Sequence, residues 1–241
     1  MAIRVPNPCY EVEIRGPLQS ERAQRALEAA LAGVGAEVGN ERLRRESYIF
    51  EVNDGSLDLR LRKAEAGPEL VLKSGPERLA VARWKHTVGL RSDLELKELQ
   101  AFVAAYGYVK GHIIRRYYTT YTWAPNNPAY SFKIVVAEVP GWPQYNYFEI
   151  ERAIVDEEMI SHAIEQVNEV AARLNLACWS RDEYLAYLAN LNKDEVDAPY
   201  EWKGGSPWSR IAPSNQFPML PLGLGGGPSG AAANPTPVAD V

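Results

Sequence analysis

Charged side chains recur at every second position along several short stretches of this chain. Glu11, Glu13 and Arg15 alternate with Tyr10, Val12 and Ile14 in CYEVEIRG (9–16), and Glu149 and Glu151 alternate with Phe148 and Ile150 in YFEIER (147–152). A period of two belongs to a β-strand, with the apolar side chains on one face and the charges on the other. Between these acidic strands the pattern repeats with cations. SLDLRLRK (56–63) sets Asp58, Arg60 and Arg62 against Leu57, Leu59 and Leu61, and PELVLKSG (68–75) sets Lys73 against Leu70 and Leu72. VARWKHTVG (81–89) sets Arg83, Lys85 and Thr87 against Trp84, His86 and Val88, while GHIIRRYYTTYTW (111–123) carries Arg115 and Arg116. A solvated outer face accounts for any one of these strands, but the set asks for more. In a closed barrel one face of every strand looks inward. Inward carboxylates repel one another unless a cation joins them, and inward basic groups do so unless an anion does. Oxygen donors without Cys or clustered His suit Mg²⁺ or Mn²⁺. A hard cation among many guanidinium and ammonium groups is a setting for polyphosphate chemistry.

The elements that must position these groups follow from the same spacing. YIFEV (48–52) and the more apolar FKIVVAEVPGW (132–142) bring the strands to about eight, most of them joined by short turns such as Asn53-Asp54-Gly55 and Gly67-Pro68, so the sheet is expected to be antiparallel. Helices are expected from the cap Ser20 to Gly33, from about Ser92 to Gly107 and over 156–176, with a short one over 181–191. They read as packing elements and carry no assigned chemistry. The fold class expected is α+β: an eight-stranded antiparallel barrel with flanking helices.

The 241 residues are 46% hydrophobic and 24% charged, enough for one large domain with a proper core. A net charge of −5 argues against a general nucleic-acid binder. Two cysteines without CxxC spacing and three histidines argue against a Cys/His zinc site and a disulfide framework. No signal-like or membrane-spanning apolar run is present, so a cytoplasmic location without membrane or nucleic-acid partners is expected. From Gly204 onward, 14 of 38 residues are Gly or Pro, and the only charges are Arg210 and Asp240. Residues 196–241 therefore read as a Gly- and Pro-rich, disordered tail behind a domain spanning 1–195.

Six of these stretches, in order over roughly residues 8 to 190, resemble the CYTH group, the triphosphate tunnel metalloenzymes. Glu11-Val12-Glu13-Ile14-Arg15 resembles the ExExK signature, and Tyr48-Ile49-Phe50-Glu51 a YFD-like second strand. Leu59-Arg60-Leu61-Arg62 is similar to an LRIR strand, Leu70-Val71-Leu72-Lys73 to LTLK, and Phe148-Glu149-Ile150-Glu151 to a terminal FxEIE strand. Ala171-Ala172-Arg173-Leu174-Asn175-Leu176, with Tyr184 beyond, is similar to the closing helices. The group includes class IV adenylyl cyclases, thiamine triphosphatases and inorganic triphosphatases. The resemblance implies an eight-stranded tunnel with Mg²⁺ or Mn²⁺ at Glu11, Glu13, Glu149 and Glu151. It implies a triphosphate-containing small molecule held by Arg60, Arg62, Lys73 and Arg83, with Arg115 or Arg116 and the neighbouring Lys85, and it gives Arg15 the catalytic position.

The chain also departs from that pattern. Arg15 stands for the signature lysine and cannot give up a proton near neutral pH. Lys85 stands where an acid is usual, Ile113 or Ile114 takes one place of a KxR pair, and Ala137, with Glu138 adjacent, takes that of an aspartate. Lys63 and Lys133 read as solvated charge, and His112 and His162 as surface or cap residues. Triphosphate hydrolysis is the expected activity, with a class IV-type cyclase or a non-catalytic nucleotide or polyphosphate-binding module as the alternatives.

Overall fold

The computed structural model describes residues 8–50, 57–64, 67–75, 81–125 and 131–202. Their strands are β1 (Cys9–Pro17), β2 (Glu37–Phe50), β3 (Leu57–Ala64), β4 (Gly67–Ser74), β5 (Ala82–Gly89), β6 (Lys110–Trp123), β7 (Phe132–Glu138), β8 (Tyr147–Ile154) and β9 (Ala198–Glu201). Four helices accompany them: α1 (Glu21–Gly33), α2 (Asp93–Ala105), α3 (Ile160–Arg173) and α4 (Arg181–Lys193). Neighbouring strands run in the order β2-β3-β4-β5-β1-β8-β7-β6, all antiparallel, and β2 pairs with β6 to close the ring. The short β9 adds to the Lys110 end of β6. The expected α+β fold with eight antiparallel strands is what forms, with β9 as an addition to it. The Asn53-Asp54-Gly55 turn and the tail beyond Trp202 lie outside the described residues, and β9 falls within the segment expected to be tail.

The alternation decides which face of the ring is dry. Val12, Ile134, Phe148 and Ile150 point outward into a core closed by Leu27 and Leu31 of α1 and Val167 and Val170 of α3. Phe50, Leu59 and Leu61 form a second outer cluster beneath Leu96 and Val103 of α2. The helices bury the outside of the ring, and the charged inner faces are left to the lumen. Helix starts follow the sequence: Ser20 and Ser92 accept from the backbone N–H groups of Ala23 and Glu95, and Ser180 forms a full capping box with Glu183. No helix among the described residues is long and apolar enough to cross a membrane.

Two strands differ from expectation. β2 begins eleven residues earlier than the expected Tyr48, at Glu37. Its register against β6 slips between Val38 and Leu43, and Arg42 adopts φ 38° there. A bulge of this kind erases the two-residue period. β7 ends at Glu138 rather than Trp142, and the chain turns through Gly141 at φ 80°.

At Gly16 the chain needs close approach rather than an unusual φ. A Cβ there would lie 2.1 Å from the Ala177 carbonyl oxygen and 2.5 Å from the Phe148 ring. The 177–179 segment crosses β1 at that point, and the Trp179 N–H donates to the Arg15 carbonyl at 2.8 Å. Gly16→Ala is expected to displace this crossing and lower unfolding stability by at least about 2 kcal/mol. Urea denaturation checks it, and an unchanged midpoint would show that the crossing is not tight.

Candidate functional site

The ring surrounds an open cavity of about 670 Å³. Within the described residues its lining contains nine Lys or Arg side chains and seven carboxylates, a surplus of two positive charges. Register explains the arrangement. On the lumen face of β1, Glu13 lies opposite Glu151 of β8 and Arg15 opposite Glu149, while Glu11 lies opposite Arg83 of β5. Lys73 of β4 lies opposite Lys85 of β5, and Lys133 of β7 opposite Glu151. A block of acid from β1 and β8 therefore sits between basic walls.

Inside that block one carboxylate oxygen from each of Glu13, Glu149 and Glu151 lies within 4.8 Å of the others. Three converging hard oxygen donors fit a divalent cation such as Mg²⁺ or Mn²⁺. Burial pushes the Glu149 carboxyl up and the charge on Glu13 adds to this; Arg15 offsets only part, and the pKa settles at about 7. Of the three, Glu149 is thus the one held toward its neutral form, by burial first and by the neighbouring acids second. Burial also raises Glu13, but Arg15 and Lys73 outweigh it and hold this carboxyl well below the usual range.

Glu11, implied by the resemblance as a fourth ligand, is not in the converging group. Lys73 and Lys85 are paired with its two oxygens, and together they outweigh its burial to keep it ionised. Lys73 Nζ also donates to Glu13 Oε2 at 3.2 Å. Arg15 bridges the acids: a guanidinium nitrogen pairs with Glu13, Nε donates to Glu149 Oε1 at 3.0 Å, and the group lies 5.1 Å from the centre of the Tyr184 ring. Tyr184 in turn stacks on Trp179 and Tyr187, which steadies the start of α4 at the lumen. Across the cavity Arg60 and Arg83 converge on Asp58, at 2.8 Å from Arg60 Nε and 3.1 Å from Arg83 Nη1, and Arg62 Nη1 donates to Glu69 at 3.0 Å.

The other basic candidates lie elsewhere. Neither Arg115 nor Arg116 lines the cavity. Arg115 reaches Glu46 at 2.6 Å on the far side of β6, and buried Arg116 pairs with Asp197 at 2.8 Å. Conversely, Lys133 and His112, read from the sequence as solvated and surface residues, both line the cavity, and Lys133 Nζ donates to Glu151 Oε2 at 2.9 Å. Lys63 does reach an exposed acid, Asp93, as solvated charge would. Ala137 packs with Tyr118, Val135 and Tyr147 in a small apolar sector of the lumen, whereas Glu138 turns away to Arg42, 3.1 Å off. Asp58, Glu69, Arg45, Arg181 and Tyr184 also line the cavity, although the sequence reading gave none of them a site role. Asp58 was legible, since it shares the alternation of Arg60 and Arg62. Arg45 follows the bulge in β2, and Arg181 and Tyr184 reach the lumen from a helix, where no strand period could reveal them.

No protein-family model matches the sequence, and no curated protein does. Solved structures do. A candidate adenylate cyclase of Vibrio parahaemolyticus superposes with a TM-score of 0.58 at 17% identity, covering 75% of this chain and 98% of that one. The PH1819 protein of Pyrococcus horikoshii OT3 gives 0.55 at 18% identity, with the same 75% and 98% coverage. The chain shares the fold of these solved structures. Identities this low carry the tunnel architecture alone. The chemistry of this tunnel has to come from its own lining.

The pKa of Glu149 gives the tunnel a pH signature. Because folding raises this carboxyl from 4.5 to about 7, the native state holds a proton across that window that the unfolded state releases. Its contribution to stability is therefore present at low pH and is lost as pH rises through the window. Glu149→Gln keeps an oxygen for Arg15 and removes the slope. Without metal, the stability of the variant relative to wild type is expected to rise by on the order of 3 kcal/mol between about pH 4.5 and pH 8. Urea unfolding at the two pH values measures it; a constant difference contradicts the assignment.

Proposed function

We propose that the tunnel binds a triphosphate-containing small molecule together with Mg²⁺ or Mn²⁺ and hydrolyses it. The observation that supports this most is the lining itself: a surplus of cations facing the cavity, beside three carboxylates whose oxygens converge. An anion rich in oxygens satisfies the basic walls, and a hard divalent ion satisfies the acids.

In this reading Glu13, Glu149 and Glu151 hold the metal. When bound, the ion supplies Lewis-acid neutralisation of charge developing on phosphate oxygens. Arg60, Arg62 and Arg83 grip the phosphates; their guanidinium forks suit such oxygens and already lie in the lumen, so little reorganisation is needed. Lys73 adds a point charge next to the acids. Arg15 orients rather than deprotonates, since its guanidinium stays charged and is fixed between Glu13, Glu149 and Tyr184. Cyclisation of a nucleoside triphosphate is the second reading. It is favoured by the structural likeness to the candidate adenylate cyclase and by the aromatic group Tyr147, Trp179, Tyr184 and Tyr187 against which an organic moiety could lie.

Incubation with ATP or inorganic triphosphate and either metal, followed by product separation, tests the proposal. Orthophosphate is expected; pyrophosphate with cyclic AMP would replace hydrolysis by cyclisation, and tight binding without products would leave a binding module. Triphosphate and Mn²⁺ together are expected to raise the melting temperature, and Glu13→Gln or Arg62→Ala to abolish most of that shift. Arg15→Lys should preserve or raise the rate, whereas Arg15→Ala weakens both binding and rate. Wild-type melting that ignores every polyphosphate tried would sink the reading.

A further inference from the structure

β1 and β8 place four carboxylates on the lumen face, yet only Glu13, Glu149 and Glu151 converge. Glu11 is 4% exposed and is engaged on both oxygens, Oε1 by Lys85 Nζ and Oε2 by Lys73 Nζ. The two lysines come from adjacent strands and face each other across β4 and β5, so both ammonium groups are delivered to one carboxylate. Lys73 is shared with Glu13 at 3.2 Å, whereas Lys85 pairs with Glu11 Oε1. Burial disfavours the charge on Lys85, and Glu11 followed by Glu151 more than restores it. A divalent ion seeking Glu11 would have to displace an ammonium from it and then sit against Lys73, Lys85 and Arg83, in a cavity that already holds a positive surplus. Close like charges make that unfavourable.

We propose that Lys85 is a built-in cation that occupies, on Glu11, the position a second divalent ion would need, so that this tunnel takes one divalent ion per chain. The proposal rests on the reading of Glu13, Glu149 and Glu151 as a metal site. Lys85 is then a positioning residue: it neutralises Glu11 and confines the metal to the three remaining carboxylates.

The test counts bound Mn²⁺ on the full chain, with no triphosphate present, from the electron paramagnetic resonance signal of the free ion at about pH 8, where carboxylates are ionised. One equivalent is expected for wild type and for Lys85→Arg, which keeps the charge. Lys85→Met frees Glu11 Oε1, leaving Lys73 on Oε2, and should take up a second equivalent; Lys85→Met combined with Glu11→Gln should return to one. Two equivalents on wild type, or a folded Lys85→Met that stays at one, overturns the proposal while leaving the metal site standing. No bound Mn²⁺ on wild type removes the metal site itself and the proposal with it. If Lys85→Met does not fold, the wild-type count decides, since two equivalents there already refute a blocked Glu11.

Discussion

A ring of eight strands has to send half of its side chains inward, and in this chain most of those are ionised. Everything else in the structure answers that constraint. Acids from β1 and β8 can share a lumen only because β4 and β5 bring Lys73, Lys85 and Arg83 to one side of them and β7 brings Lys133 to the other. Asp58 survives at 1% exposure because two guanidinium groups converge on it. Deleting one partner of such a set would strand a buried charge, which costs far more than the pair contributes.

Ion pairs of this kind hold a geometry and do little to hold a fold together, because removing charges from water offsets most of their attraction. Cohesion comes from the opposite faces of the same strands. Val12 is fully buried beneath α1 and α3, directly between Glu11 and Glu13 in the sequence. Leu61 is likewise fully buried beneath α2, between Arg60 and Arg62. Each strand thus divides its work by residue parity, with stability outside and chemistry inside, and a one-residue slip in register would exchange the two.

That division is why much of the architecture could be read from the chain. Regular alternation in β1, β3, β4, β5 and β8 exposed both the strands and their lumen residues, and serines at helix starts marked the caps. Where the period failed, so did the reading. The bulge near Arg42 hid the first half of β2 and with it the lumen position of Arg45. β7 is apolar on both faces, so nothing set Lys133 apart as an inward residue. In β6, Arg115 and Arg116 are adjacent and must face opposite ways, and only the structure shows that neither lines the cavity. Which cation meets which carboxylate depends on pairings between strands far apart in the sequence. No local pattern encodes the engagement of Glu11 by two lysines.

The place of β1 in the ring has a consequence for how the protein is made. The first strand of the chain does not pair with the second; its neighbours are β5 and β8, whose residues lie some 70 and 140 positions downstream. β2 likewise waits for β6 before the seam can close. Contacts of such long range make folding slow and prevent it from proceeding strand by strand as the chain emerges. Until β5 has been synthesised on one edge and Ile154 on the other, Val12 and Ile14 belong to a β-prone segment with unpaired edges in a growing polypeptide. Glu11, Glu13 and Arg15, interleaved with them, keep that waiting strand charged, and charge on an unpaired strand discourages association with other chains. The residues that line the tunnel at the end therefore also protect its first strand at the beginning.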